Sequence, residues 1–377
     1  MEVGLSEDQQ LFRDTCQKAL ADLCPLTRVR ELIEDPVGFD RSTWAQGGEL
    51  GWYAMLVPEA YGGGSVSGDG LVDLTVVAEE LGRMIHPGPF VATNIVAFAL
   101  AESGSPEQAE RYLGALATGE VIGSWAFAER DRDWAAGSVS LSATASGDGF
   151  VLDGVKAYVH DAQAADVLLV TAAGPAGLTQ FLVPADAPGV TVEPLSCLDL
   201  ARRMADVRFS SVEVGADAVV GTPGAAGAAV ERQLQVAMVL LCAETNGATD
   251  QGLGITVQYA KDRVAFGRPI GSYQALKHRM ADHRMWLEGS FATAAYAARA
   301  VAHGAGDAAV AARVAKAHVG KWDSTILPDC IQLHGGIAMT YEYDLHLYFR
   351  RAISDEVLYG SPDEHYRALV DLAEGAA

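Results

Sequence analysis

A carboxylate set among apolar neighbours is the simplest candidate for proton transfer. Glu244 is such a group, following Leu240-Leu241-Cys242-Ala243. Burial could tune its carboxyl for general-base work. The same burial suits a hydrogen-bonding partner between helices, and the residues by themselves leave both readings open. The remaining reactive side chains are less suggestive. Cys16, Cys24, Cys197, Cys242 and Cys330 are widely spread and form no CxxC, which reads as buried thiols in a reducing cytoplasm. The nine histidines show no HxxxH or HExxH spacing, so no metal site is expected. The run Gly62-Gly63-Gly64 follows no strand and opens no helix; it reads as a turn and not as a phosphate loop.

The elements that must position these groups come in three textures, an α+β chain. Residues 1–120 read as a helical domain, opened by Ser6 and Gln9 as a capping box ahead of an amphipathic run to about Leu23. Residues 121–225 carry short β-rich runs, among them VIGSWAF, GFVLDG, DVLLVTAA and DVRFSSVEV, separated by Gly, Asp and Pro, which predicts a β-barrel or sandwich. Gly221 to Ala229 reads as a flexible linker. Residues 226–377 are alanine-rich and helical in period, with helices expected near 230–263, 272–303, 307–335, 341–349 and 353–374, an antiparallel bundle. Long, small-sided helix faces of this kind predict an oligomer. The 377 residues suffice for two or three domains. A formal charge of −22 argues against a nucleic-acid partner. The start MEVGLSEDQQ predicts no signal peptide, and no apolar run approaches the roughly 18 residues of a membrane span.

Two late segments carry a family resemblance. Arg263-Val-Ala-Phe266-Gly267-Arg-Pro269-Ile270-Gly271-Ser-Tyr-Gln274 resembles the R-x-x-F-G-x-P-I-x-x-x-Q signature of acyl-CoA dehydrogenases. Gln332-Leu-His-Gly335-Gly336-Ile-Ala-Met-Thr340-Tyr-Glu342-Tyr343 resembles their Q-x-x-G-G-x-G-x-T-x-E-Y segment. Earlier, Val57 to Gly63 and Glu79 to Arg83 match two further family motifs in order. The resemblance implies an α-domain, a β-domain and a helical bundle, in agreement with the three textures. It implies FAD as cofactor and an acyl-CoA thioester as substrate, with a glutamate taking the α proton and the β hydrogen leaving as hydride to the flavin. It also implies that Arg263, Phe266, Gly267, Gln274, Gln332, Gly335 and Gly336 serve the FAD of a neighbouring subunit. A guanidinium can fork onto a pyrophosphate, glycines admit close approach, and carboxamides bond adenine or ribitol.

The chain departs from the pattern where the base should stand. Residues 357–367 read V-L-Y-G-S-P-D-E-H-Y-R, where many family members read I-Y-E-G-T-x-E; Gly360 holds the glutamate position, and Glu364 matches only the second acidic position. Other branches carry the base as Glu-Arg on the first bundle helix, positions that fall here on Ala237 and Met238. Glu231-Arg232 is a Glu-Arg pair, but six residues early; Glu244 lies two turns beyond Ala237, about 10.5 Å along the axis. In the β-region, Trp125-Ala-Phe-Ala128-Glu129-Arg130 keeps the aromatic and Glu129 but loses the family's threonine and proline, and Tyr158-Val159-His160 replaces Trp-Ile-Thr/Ser. The losses fall on the subunit's own flavin ring and substrate, and the retained residues serve a neighbour's FAD. The expectation is a base-lacking subunit of a hetero-oligomer, of the kind that in actinobacteria dehydrogenates bulky thioesters such as steroid side-chain CoA esters, with acyl-CoA bound mainly by a homologous partner. The alternatives are a self-sufficient homo-oligomer with Glu244 or Glu231 as a relocated base, and a family-fold protein without dehydrogenase activity.

Overall fold

The computed structural model describes residues 4–375. Six helices come first: α1 (Glu7–Leu23), α2 (Leu26–Ile33), α3 (Arg41–Glu49), α4 (Gly70–Arg83), α5 (Phe90–Ser103) and α6 (Pro106–Ala117). The Ser6 hydroxyl accepts from Gln9 N while the Gln9 side chain accepts from Ser6 N, the expected capping box; Ser105 and Gln108 repeat it at α6 with Pro106 at the first helical position. Gly62 adopts φ +84° and closes a single 3₁₀ turn over Glu59–Tyr61, so the glycine run is a turn. Helix α5 is buried from Phe90 to Leu100 on every face, as a helix apolar all round must be.

Eight strands follow: β1 (Gly123–Ala126), β2 (Ser142–Ser146), β3 (Gly149–His160), β4 (Val167–Gly174), β5 (Gly177–Pro184), β6 (Val190–Pro194), β7 (Met204–Val214) and β8 (Val219–Val220). They form one mixed sheet in the order β6-β7-β3-β2-β4-β5-β8, with β1 parallel to β4. The sheet has its own apolar core, including Leu152, Val170, Phe181, Val207 and Phe209. The segment expected to be a flexible linker is pinned to this sheet. Gly224 N donates to Thr179 Oγ1 (2.9 Å), Ala226 N donates to Leu178 O (2.9 Å), and helix starts at Gly227. Small residues lower the local cost of a turn there without leaving it loose.

The bundle comprises α7 (Gly227–Asp262), α8 (Gln274–Ala302), α9 (Ala308–His334), α10 (Leu345–Val357) and α11 (Pro362–Gly375), with a two-strand hairpin, β9 (Val264–Ala265) and β10 (Arg268–Pro269), between α7 and α8. The break expected near residues 350–352 is absent. Arg350 donates to Leu198 O and Arg351 turns inward to Asp199 and Glu244, so both charges are satisfied and the helix continues to Val357. Helix α7 crosses α4 at a pair of glycines. A Cβ on Gly247 would collide with Glu79 O, and one on Gly82 with Glu244 O. Cys16, Cys24, Cys242 and Cys330 are buried as expected; Cys197, in the β6–β7 connection, is only half-buried. Among the described residues no helix is long and apolar enough to cross a membrane.

Candidate functional site

One end of the bundle gathers the seven residues of the two late motifs expected to serve the cofactor. The β9–β10 hairpin turns on Phe266 (φ +53°) and Gly267 (φ +81°), two left-handed residues as a tight hairpin requires. Left-handed backbone is costly for phenylalanine, and its side chain is 96% exposed, so nothing in this chain rewards the strain. Helix α8 begins at Gln274 and α9 ends at His334, where Gly335 (φ +67°) turns the chain into a 3₁₀ stretch over Gly335–Met339. Asp329 of α9 binds Arg279 of α8 and sits 2.9 Å from His283 Nε2, which places the start of α8 beside the end of α9. Tyr259 of α7 donates to His334 O (3.3 Å) and stacks on its imidazole at 4.3 Å. Arg263, Phe266, Gly267, Gln274, Gln332, Gly335 and Gly336 are all exposed there. A Cβ at Gly267, Gly335 or Gly336 would meet nothing within 4 Å. Positive φ accounts for the first two. Nothing inside the chain accounts for Gly336, whereas close approach by a group from outside would.

The position of the missing base is built differently. Tyr359 (φ +59°) and Gly360 (φ +107°) form the turn between α10 and α11. The buried Lys316 ammonium donates to Glu356 O and Gly360 O, both at 2.9 Å, and fixes that turn. A Cβ on Gly360 would lie 2.8 Å from His365 Nε2, so the room for a side chain is already taken. Burial, then Lys316 and Arg313, push the His365 imidazole down to about 4. Tyr359 turns into an aromatic packet: its ring centroid lies 5.1 Å from Trp134, 6.0 Å from His160 and 6.2 Å from Trp125, and Trp125 stacks on Phe127 at 4.8 Å. Ala237 and Met238, the other base position, are buried in the same apolar cluster as Tyr359. A groove of about 300 Å³ runs outside this turn and ends on Trp134 and Tyr359. Glu364 serves as a cap, accepting from Ser361 N and Ser361 Oγ, both at 2.6 Å.

Glu244 lies in a buried ion cluster that sequence reasoning did not assemble. Arg351, from α10, binds Glu244 and Asp199; Arg202, from the β6–β7 connection, reaches Glu244 (3.2 Å) and Asp355 (2.8 Å). Thr245 Oγ1 donates to Asp355 at 3.1 Å. Burial alone would raise the Asp199 carboxyl, but Arg351 and Arg202 outweigh it and hold it below the usual range. Asp161, beside the cluster and with no direct side-chain partner among the described residues, is pushed up to about 7 by burial against the pull of the arginines. Burial, with Arg202 and Arg351 adding to it, keeps His160 well below its ordinary value. The space left among His86, Phe90, His160, Asp161, Arg202 and Glu244 is about 20 Å³, room for about one water. Ligand pockets are typically about 300–1,000 Å³. Arg202 and Asp199 gave one local sign, charged residues beside apolar strands. Their partners lie 42 to 153 positions away.

Two other residues singled out by sequence serve the scaffold. Glu231 accepts from Ala136 N (3.2 Å) and sits 3.8 Å from Arg313. Glu129 binds the fully buried Lys156 at 2.7 Å; burial would raise its carboxyl, but Lys156 and the hydrogen bonds from Ser140 and Leu141 prevail and hold it at about 2. Tyr158, in the family's tryptophan position, does not join the aromatic packet. A register shift between Lys156 and Val159 and φ +56° turn it outward, beneath the Arg130 guanidinium.

The two regions answer differently to an FAD. At the bundle end an exposed guanidinium, two carboxamides and open glycine backbone fit a pyrophosphate dinucleotide approaching from outside. Around Tyr359 and Glu244, aromatic rings and the ion cluster leave about 20 Å³ beside the ions and a groove of about 300 Å³ outside the Tyr359 turn.

Comparison with known proteins follows the same plan. Family models for the acyl-CoA dehydrogenase N-terminal, middle and C-terminal domains match residues 6–120, 124–212 and 226–370. The chain is 34% identical over 366 residues to acyl-CoA dehydrogenase IpdE2 of Mycobacterium tuberculosis, covering 96% of each. Among solved structures, the Tcur3481-Tcur3483 steroid ACAD superposes with a TM-score of 0.89 at 31% identity, over 98% of this chain and 99% of that one. The ChsE4-ChsE5 complex of Mycobacterium tuberculosis superposes with a TM-score of 0.88 at 27% identity, over 99% of both.

Proposed function

The chain belongs to the acyl-CoA dehydrogenase family, and we propose that it acts there as the base-lacking member of a hetero-oligomer. Its bundle end completes the FAD site of a homologous subunit that carries the glutamate base and binds most of the acyl-CoA. FAD, when bound, accepts the hydride lost from the β carbon of the thioester. Arg263 would hold the pyrophosphate by a charge-assisted fork, Gln274 and Gln332 would bond its adenine or ribitol, and Gly335 and Gly336 would let the backbone approach. The observation that carries this reading is the contrast between the two regions. The cofactor residues face outward and are unspent, while Gly360, φ +107° and backed by His365, has neither a carboxylate nor room for one. A positioned base is worth roughly 10² to 10⁴ in rate, so a chain lacking one relies on another. The steroid ACAD and the two-component complex among its structural relatives support a bulky thioester and an unlike partner.

Glu244 as a relocated base fits the geometry poorly, because Arg351 and Arg202 occupy both of its oxygens. Glu231 is bound to the Ala136 amide. The test is bound flavin per chain, measured for this protein alone and co-expressed with a base-bearing homologue. Little flavin in the isolated chain and a single FAD per unlike pair is the expected result; a full complement in the isolated chain overturns the reading. Arg263→Ala should lower flavin only in the mixed complex.

A further inference from the structure

Arg263 closes α7, and Gly335 follows the end of α9, 72 positions later (335 − 263). Chain geometry alone cannot set the distance between them. His334 is the one member of the Gln332–Gly336 stretch that is buried: its side chain lies inside at 4% exposure, while Gln332, Gly335 and Gly336 are exposed. A carbonyl can only accept, so Nδ1 donates to Cys330 O, one turn back in α9, at 2.8 Å. That bond orients the ring and leaves Nε2 buried with no partner among the described residues. The ring faces Tyr259 at 4.3 Å, with planes 22° apart, and Tyr343 at 5.1 Å. Tyr259 touches both motifs. Its hydroxyl donates to His334 O (3.3 Å), and its carbonyl accepts from Arg263 N (2.8 Å). Tyr343 closes the second motif. Three packed rings therefore connect the backbone of Arg263 to the turn at Gly335.

We infer that His334 is a positioning residue: its ring, clamped between Tyr259 and Tyr343, holds the Arg263 end of α7 and the Gly335-Gly336 turn at the separation a single dinucleotide requires. The inference rests on the trans reading above. An arginine fork and a close backbone approach act on the same molecule, so a shift of one edge weakens the other contact as well. Edges set in advance also lose less freedom when the cofactor arrives, which raises affinity without a new contact. The tie is aromatic on both sides, and such contacts depend on the planes and distances of the rings. An aliphatic side chain of similar bulk fills the space without supplying a plane.

The experiment titrates FAD into the complex of this chain with a base-bearing homologue, read by flavin fluorescence and visible circular dichroism, beside urea unfolding of each isolated chain. His334→Leu should raise the flavin Kd about tenfold and alter the dichroism of the bound flavin. His334→Phe keeps the stacked ring and removes the orphan nitrogen. It should restore the wild-type Kd and dichroism, with stability equal to wild type or higher. Tyr259→Leu breaks the same stack from the other side and should match His334→Leu, which keeps the test open if one variant folds poorly. Leucine variants that lose stability alone, with an unchanged flavin Kd per folded pair, overturn this inference and leave the trans reading standing. Equal losses in His334→Phe and His334→Leu overturn it too, since the ring plane would then not be what acts. A wild-type pair that binds no flavin overturns both.

Discussion

At the residue scale the informative comparison is between Glu244 and Gly360. Glu244 looks from its neighbours like a carboxylate held for proton transfer, and in the fold it is a counter-charge for Arg351 and Arg202. Removing one member of a buried ion pair strands the other, at a cost of about 3–5 kcal/mol. Glu244→Gln should therefore lower the unfolding free energy by that amount in urea titration, while turnover per folded mixed complex stays at the wild-type level. Lost turnover with unchanged stability would return Glu244 to the role of base. Restoring a carboxylate with Gly360→Glu offers no shortcut, since the backbone is left-handed and His365 fills the space.

At the element scale, the hairpin and the end of α9 act as a presented edge. Gly336→Val puts a side chain where this chain has only open space, so thermal stability should change within about 0.5 kcal/mol. The same methyl groups would stand where an incoming cofactor must pass, and flavin per mixed pair should drop. A variant that melts early, or that keeps its full flavin, contradicts the assignment. Element boundaries were legible where a local rule sets them. The capping boxes at Ser6 and Ser105 and the turn at Gly62 follow from side chains within three residues of the backbone they serve. The break between α10 and α11 falls later than expected, because Arg350 and Arg351 find partners in Leu198, Asp199 and Glu244, which arrive from other elements.

At the scale of the whole molecule, buried titratable groups set how stability varies with pH. Glu129, held at about 2, stays charged in the fold while its unfolded counterpart, near 4, takes a proton; stability is lost as pH falls below about 4 toward 2. Asp161 and Asp323, pushed up to about 7 chiefly by burial, act in the opposite sense. The folded protein holds their protons between about 4 and 7 while the unfolded chain has released them, so stability declines as pH rises through that window. The imidazoles of His86 and His365, pushed down to about 4 chiefly by burial, oppose them between about 4 and 6.5, where only the unfolded chain protonates them. Asp161→Asn removes the share of one aspartate: its melting temperature relative to wild type should rise from pH 5 to pH 8, and a constant difference would contradict the burial of Asp161.

The succession of helices, strands and bundle could be read along the chain, as could the two cofactor motifs and the empty base position, because each depends on the kind and spacing of residues close in sequence. Tertiary structure decided what fills the vacated space. Arg202, Glu244 and Arg351 meet across 42 and 107 positions, and Tyr359 joins Trp125 and Trp134 from the far end of the chain. Charges and rings find partners by proximity in space, and proximity at that separation exists only once the sheet and the bundle have packed.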